Sequence, residues 1–297
     1  MTKASLSPGS AIERVNADAL HLDEVRERRR IFGLSLPSLA VIALILVLPI
    51  VWLFGLSFAG SDGSLSWEHY ERLYRRSYYL KIFYTTFEVS VVVTVICVLV
   101  GYPLAYLLAQ MPRRAANLCM IAVILPLWTS ILVRTYAWLV LLQKTGLING
   151  WLIGLGIVEE PIQLVHNYTG TVIGMTHIML PFLILPLYAS MKAIDMDCVR
   201  AAANLGADPV RAFWQIFFPL SLPGLFAGIL LIFVLCLGFY VTPALLGGGK
   251  VIMIAMKIQT NVAQYPEWGA SSSLGMVLLI MTFALLWIAS RVFRLVR

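Results

Sequence analysis

Residues 200–224 read RAAANLGADPVRAFWQIFFPLSLPG, and the way this stretch folds decides how the whole chain is organised. The alanines Ala201, Ala202 and Ala203 favour helix. Gly206 ends that helix in a left-handed conformation, which glycine adopts without a Cβ penalty. Asp208 caps a second helix, with Pro209 at its first position. Phe213, Ile216 and Phe217 fall on one face of this second helix. Pro219 and Pro223 are expected to stop it. The product is a helix–turn–helix bracket with small residues at its elbow and an apolar face. Two readings follow. Small residues let the backbone of another protein approach closely, or the bracket lies as an interfacial loop on the chain's own membrane domain.

Outward from this bracket the chain is strongly apolar. Residues 169–190 precede it and 223–246 follow it. Further apolar stretches cover 31–58, 82–110, 116–142 and 274–293. About 20 apolar residues, at about 1.5 Å rise each, cross the hydrocarbon of a bilayer. The expected fold class is therefore an all-α membrane protein of about six transmembrane helices. Composition agrees: the 297 residues are 60% hydrophobic and 12% charged. A soluble domain carries roughly twice that charged fraction.

Charge placement orients the spans. With the N-terminus in the cytoplasm, fourteen of the 22 Lys and Arg residues fall on inner segments and seven on outer ones; Arg134 is left inside a span. This bias places both termini in the cytoplasm, as an even number of spans requires. It also accounts for the net charge of +7 without nucleic acid as a partner. Residues 1–30 read as a cytoplasmic tail, with Ile12, Val15, Ala19 and Leu22 at the spacing of a short amphipathic helix. Residues 31–297 read as one transmembrane domain. The bracket occupies an inner loop at about 192–222, and an outer loop at 247–273 holds a short helix around 252–262. No cleavable signal peptide is evident, since the first thirty residues are polar.

Several signatures of chemistry fail. Gly247-Gly248-Gly249-Lys250 is no phosphate-binding loop, because the earlier glycine is absent and Val251 stands at the Ser/Thr position. The sequon Asn167-Tyr168-Thr169 is a short match of little weight. The four cysteines, Cys97, Cys119, Cys198 and Cys236, form no CxxC pair and fit no zinc spacing. No metal site and no catalytic constellation is expected.

The bracket resembles the EAA motif of ABC import permeases, roughly E-A-A-x-x-x-G-A followed by a spaced I-x-L-P. Ala201, Ala202, Gly206, Ala207, Ile216 and Pro219 sit where that motif expects them. Arg200 departs from it, standing at the glutamate position. Either the docking partner carries a compensating change, or this position matters less than the elbow. A second set of stretches is similar to spermidine/putrescine-type permeases: Gly101-Tyr102-Pro103, Pro126-Leu127-Trp128-Thr129-Ser130 with Arg134-Thr135-Tyr136-Ala137-Trp138, residues 180–188 (LPFLILPLY), and residues 242–248 (TPALLGG). The likeness runs from the first span to the last and leaves out only the N-terminal tail.

The resemblance implies a type I ABC importer permease fold in a bacterial inner membrane. It implies a second permease subunit, related but different, two ATPase subunits, and a soluble substrate-binding protein. This chain would bind no cofactor; ATP and Mg²⁺ would belong to the partner ATPase. Arg200, Ala201, Ala202, Leu205, Gly206, Ala207, Asp208 and Pro209 would form the ATPase-coupling surface. The implied cargo is a small cationic or nitrogen-containing solute, a polyamine or an opine. The competing readings are a secondary transporter or channel, which leaves the bracket unexplained, and a membrane enzyme, for which no convergent acid, base or metal group is found.

Within the spans, prolines 49, 103, 126, 181, 186 and 243 mark candidate kinks. Glu88 and Arg134 are charges that lipid disfavours by about 2.5–3.5 kcal/mol each at the bilayer centre. They face either a substrate pathway or a salt bridge, with each other or with the partner permease. Tyr136, Trp138, Phe239 and Tyr240 are candidates for an aromatic cage around an amine, or for ordinary packing. His177 is a packing residue or a contact for a proton or substrate.

Overall fold

The computed structural model describes residues 8–60, 64–264 and 268–296. Among these the regular elements are helices, and one isolated antiparallel bridge joins Ala59 and Leu65. Lys3 and Arg297, both part of the charge count, lie outside the described residues. The chain divides into two units, Met1–Gly55 and Leu56–Arg297.

Helix α1, Pro8–Ser57, makes up nearly all of the described part of the first unit. Its segment Arg30–Ser57 is long and apolar enough to cross a membrane. The expected tail helix is thus the lead-in to a longer one. The side chains of Ile12, Val15, Ala19 and Leu22 lie outside the described residues.

In the second unit, the short helix α2 (Glu68–Arg75) precedes the span α3 (Ser77–Gln110). The next span is not the continuous helix expected over 116–142. It consists of α4 (Arg113–Ile124), a 3₁₀ turn (Leu125–Trp128) and α5 (Ile131–Leu141), bent by 99°. Pro126 lacks the N–H that would continue the ladder, and its ring crowds the carbonyl four residues back. Thr129 and Ser130 then turn extended, with ψ of 150° and 137°. The backbone N–H and hydroxyl of Thr129 both donate to the Pro126 carbonyl, at 3.1 and 2.8 Å. Polar backbone at membrane depth is thereby satisfied locally, as a break there requires.

The short helix α6 (Leu147–Gly154) leads to the span α7 (Tyr168–Lys192), which contains Pro181 and Pro186. Asn167 caps α7, its side chain accepting from the Gly170 N–H at 2.8 Å. The bracket follows as α8 (Met196–Asn204) and α9 (Pro209–Ala212), a π-helical turn (Phe213–Phe217), and the span α10 (Phe218–Leu237). The chain closes with α11 (Val241–Leu246), α12 (Ile254–Gln264) and the span α13 (Trp268–Val296). Among the described residues five helices are long and apolar enough to span, and the bent α4–α5 pair brings the number to six where it is counted as one broken span.

Two more expectations are corrected. The fifth span was expected at 223–246, but the continuous apolar helical run is Pro209–Leu237. Pro219 and Pro223 do not stop the bracket's second helix, which continues into α10. The π turn explains why: the Phe218 N–H bonds to the Phe213 carbonyl, five residues back. The widened turn gives the ring of Pro219 room where an α-turn would clash. The far end of the expected span is instead a separate helix, α11, beyond a break at residues 238–240.

The core lies among α3, α7 and α10. Val89, Val93 and Cys97 of α3 meet Leu183, Ile184 and Leu187 of α7 and Ile232 and Cys236 of α10, all fully buried. Lipid supplies no hydrophobic drive between helices, so close approach of small residues matters. Gly224 and Gly228, one turn apart, form the contact of α10 with α7. A Cβ on Gly228 would lie 2.7 Å from Leu183 Cδ1, and one on Gly224 would collide with Ser190. Buried hydroxyls also serve the fold. Thr86 donates to the Ile82 carbonyl at 2.8 Å and accepts from the Ile254 N–H at 3.0 Å, tying α12 to α3.

Candidate functional site: an elbow on one end and a polar pair in the spans

The elbow is built from local chemistry. Asp195 caps α8 by accepting from the Asp197 N–H at 2.9 Å. At the other end of α8 the Ala207 N–H bonds to the Ala202 carbonyl and the Gly206 N–H to the Ala203 carbonyl, both at 3.0 Å. This double bond pattern is a Schellman motif, which needs a left-handed residue at Gly206; its φ is +89°. Asp208 caps the next leg, its side chain accepting from the Arg211 N–H at 2.7 Å, with Pro209 at the first helical position.

The tip is open and apolar. Leu205 is 89% exposed and Trp214 59%. Ala201, Asp208 and Pro209 are also exposed, while Ala202 and Ala207 are half-buried. Arg200 turns to solvent and pairs with Asp197 on the same helix at 2.9 Å. Such an exposed pair adds little stability, and it offsets the charge that distinguishes this position from the glutamate of the motif. A cavity of about 360 Å³ lies under the elbow, between Tyr106 and Gln110 of α3 and Val199, Ala207 and Phe217 of the bracket.

The apolar face of the bracket, with Phe213 and Phe217, is clasped to α3 by the rings of Tyr102 and Tyr106. Tyr106 meets Phe213 and Phe217 edge-on, with centroids 5.2 and 5.0 Å apart. Tyr102 lies against Phe218 at 5.7 Å, and its hydroxyl is 2.9 Å from Ser221 Oγ. Lys192, at the end of α7, donates to the Ala109 carbonyl at 3.2 Å. The visible signal was the four-residue spacing of Tyr102 and Tyr106 near the end of a span, which puts both on one face.

The candidate pathway residues separate into two places. Arg134 and Trp138 stand one turn apart on α5, and Trp138 meets the His177 ring of α7 edge-on at 5.5 Å. Glu88 is exposed on α3 and lies beside Tyr168 and Tyr84. No ion pair joins Glu88 and Arg134 among the described residues. Tyr136 faces away from Trp138 and is 53% exposed; Phe239 packs on the core, and Tyr240 is 37% exposed. Among the described residues no two of these four rings are in contact. A hydroxyl pair that composition does not reveal joins α5 to α11: Thr135 Oγ1 and Thr242 Oγ1 are 3.1 Å apart and both fully buried.

Three comparisons bear on this arrangement. Residues 101–297 match the family described as binding-protein-dependent transport system inner membrane component. The spermidine/putrescine transport system permease protein PotB of Haemophilus influenzae is 31% identical over 84% of this chain and 86% of its own. The protein of the same name from Escherichia coli is 30% identical over 84% of this chain and 94% of its own. A putative 2-aminoethylphosphonate transport system permease protein of Salmonella typhimurium is 23% identical over 86% of this chain and 90% of its own. The fold matches a chain of a bacterial ABC transporter that imports alginate, with a TM-score of 0.69 over 92% of this chain and 98% of that one at 16% identity. The same type of transporter in complex with an alginate pentasaccharide-bound periplasmic protein gives a TM-score of 0.71, covering 90% of this chain and 94% of that one at 16% identity.

Proposed function

Because the chain belongs to the family of binding-protein-dependent transport system inner membrane components, we propose that it is the non-catalytic permease subunit of an ABC importer whose elbow at Gly206 is gripped by a separate ATPase. Two ATPase subunits bind and hydrolyse ATP with Mg²⁺; this chain supplies rigid helices and a handle. A second permease completes the pathway, and a soluble binding protein delivers the cargo. Both termini and the elbow face the cytoplasm, in keeping with the excess of inner basic residues. Family membership favours this reading over a secondary transporter or channel.

The observation that carries the proposal is the elbow itself. A Schellman turn and a side-chain cap hold it in shape, yet an apolar leucine, Leu205, stands 89% exposed at its tip. An apolar tip held in a fixed shape suits docking to another protein. Arg200, Ala201, Ala202, Ala207, Asp208 and Pro209 form its flanks. ATP-driven closure of the ATPase dimer moves the tip, and the ring clasp of Tyr102 and Tyr106 passes that motion to α3.

The cargo is a polyamine or a related nitrogen-containing solute, by likeness to the two spermidine/putrescine permeases. Glu88, beside two tyrosines on an exposed face of α3, is the group on this chain suited to an ammonium. Arg134, Tyr136, Trp138, Phe239 and Tyr240 complete the proposed pathway residues.

Co-purification tests the docking. The intact chain brings down an ATPase, and Leu205→Asp loses it while membrane abundance holds. Retention of the ATPase by that variant would remove the elbow as the handle. Uptake by Glu88→Gln tests the cargo site; unchanged transport by a well-expressed variant takes Glu88 out of it.

A further inference from the structure

Arg134 lies within the broken third span, and two of its nitrogens, Nε and Nη1, are buried without a hydrogen-bond partner among the described residues. His177 Nδ1 and the adjacent Thr176 Oγ1 are in the same condition. Arg134 also makes no ion pair among the described residues. Glu88, the carboxylate well inside a span, is beside Tyr168 instead. A guanidinium keeps its proton, offers five donors in a fixed fork and has no acceptor of its own. Buried donors left unmet are rare in folded proteins and call for a missing partner.

Arg134 is half-buried, on a helix whose neighbouring residues are tied to other elements. Trp138, one turn further on, rests on His177. Thr135, the next residue, is tied both to its own helix at Ile131 O and to Thr242 of α11. Arg134 is thus close enough to His177 to act on it electrostatically, and both side chains carry buried polar atoms without a partner among the described residues.

We propose that Arg134, with His177 beside it, forms an oxyanion site that takes a carboxylate supplied from outside this chain. A carboxylate has two oxygens that match the guanidinium fork, and such charge-assisted pairs are the strong ones. The inference rests on the importer reading, because that reading supplies the two available sources: an Asp or Glu side chain of the second permease, or an acidic group on a zwitterionic cargo. Either satisfies the same donors. A polyamine has no such group, so with polyamine cargo the partner subunit is the source.

The test uses the complete importer in membranes, with Arg134→Gln, Arg134→Lys, Arg134→Glu and His177→Gln. Uptake is measured with a polyamine and with an amino acid or opine, and assembly by co-purification of the second permease. Arg134→Gln should lower uptake on the order of tenfold or more at equal abundance, with Arg134→Lys intermediate because it keeps charge and loses the fork. If the second permease is the source, all cargo is affected alike, and a change of one of its acidic residues to Arg rescues Arg134→Glu. If the cargo is the source, the loss is confined to cargo with an acidic group and assembly is intact. Uptake of every cargo within about twofold of the unaltered chain in Arg134→Gln, well inside the tenfold that 1.4 kcal/mol represents, overturns the site. So does a loss of polyamine uptake that no acidic residue of the second permease rescues. The elbow is untouched in all four variants, so the ATPase co-purifies throughout; its absence from the unaltered complex would strike the importer reading instead.

Discussion

The hydroxyl of Tyr102, on α3, donates to Ser221 Oγ, on α10, across 2.9 Å. The direction is fixed because Ser221 gives its own proton to the Phe218 carbonyl at 2.8 Å. This bond joins the span that packs against the elbow's rings to the span that continues the elbow. Tyr102→Phe should lower stability by about 1 kcal/mol, since Ser221 keeps its other bond. Thermal unfolding in detergent would read this as a drop of a few degrees at most. The same variant should hydrolyse ATP in the assembled importer with less transport per ATP.

Gly206 gives the second prediction. At φ +89° a side chain with a Cβ is strained by roughly 1–2 kcal/mol. Space is not the obstacle, because nothing lies within 4 Å of the position a Cβ would take. Gly206→Ala and Gly206→Val should therefore reach the membrane in normal amounts yet hold the ATPase less tightly, Val more so than Ala. Equal ATPase retention in all three would show that the turn's shape is not what docks.

The pair Thr135 and Thr242 predicts an asymmetry. Thr135 donates to the Ile131 carbonyl at 2.8 Å, so the bond between the two hydroxyls must be donated by Thr242. Thr242→Val removes the donor and should cost about 1 kcal/mol. Thr135→Val leaves the fully buried Thr242 hydroxyl without this acceptor and should cost more, about 1–3 kcal/mol. Melting curves of the two variants in the same detergent would show the order, and equal shifts would refute the assigned direction.

Gly228 tests the helix contact. Its missing Cβ would stand 2.7 Å from Leu183 Cδ1 and 3.3 Å from the Leu183 carbonyl oxygen. The leucine tip can move, but the backbone cannot. Gly228→Ala should be tolerated with a loss of about 1 kcal/mol, and Gly228→Leu should cost about 1–3 kcal/mol or prevent insertion of a stable fold. Abundance and melting temperature of the pair would separate these.

Much of the elbow was legible in residues 200–224. Gly206 and Asp208 act through bonds within a few residues of themselves, so their conformations follow from local sequence. The same locality made the kink at Pro126 readable, although not its 99° size. Reading failed at Pro219, where a π turn lets the helix run on. That turn is favoured by the packing of Phe213 and Phe217 against Tyr106, more than a hundred residues earlier in the chain.

The candidate pathway shows the same division. Arg134 and Glu88 announce themselves because charge in an apolar run is rare and expensive. Which neighbours they meet is a different matter: Arg134 faces His177, Glu88 faces Tyr168, and the two do not pair. Tyr136 and Trp138, two residues apart, point to opposite sides of a helix that begins only at Ile131.

From the sequence alone came the membrane class, the span count, the shape of the elbow and the presence of two costly charges. Each depends on hydropathy over one segment or on hydrogen bonds between near neighbours. Tertiary structure alone decided the clasp of Tyr102 and Tyr106, the joining of Thr135 to Thr242, the close approach at Gly228, and the unfilled donors of Arg134. Those depend on which helix faces meet, and in lipid that choice is made by shape and by polar partners far apart in the chain, which no local pattern records.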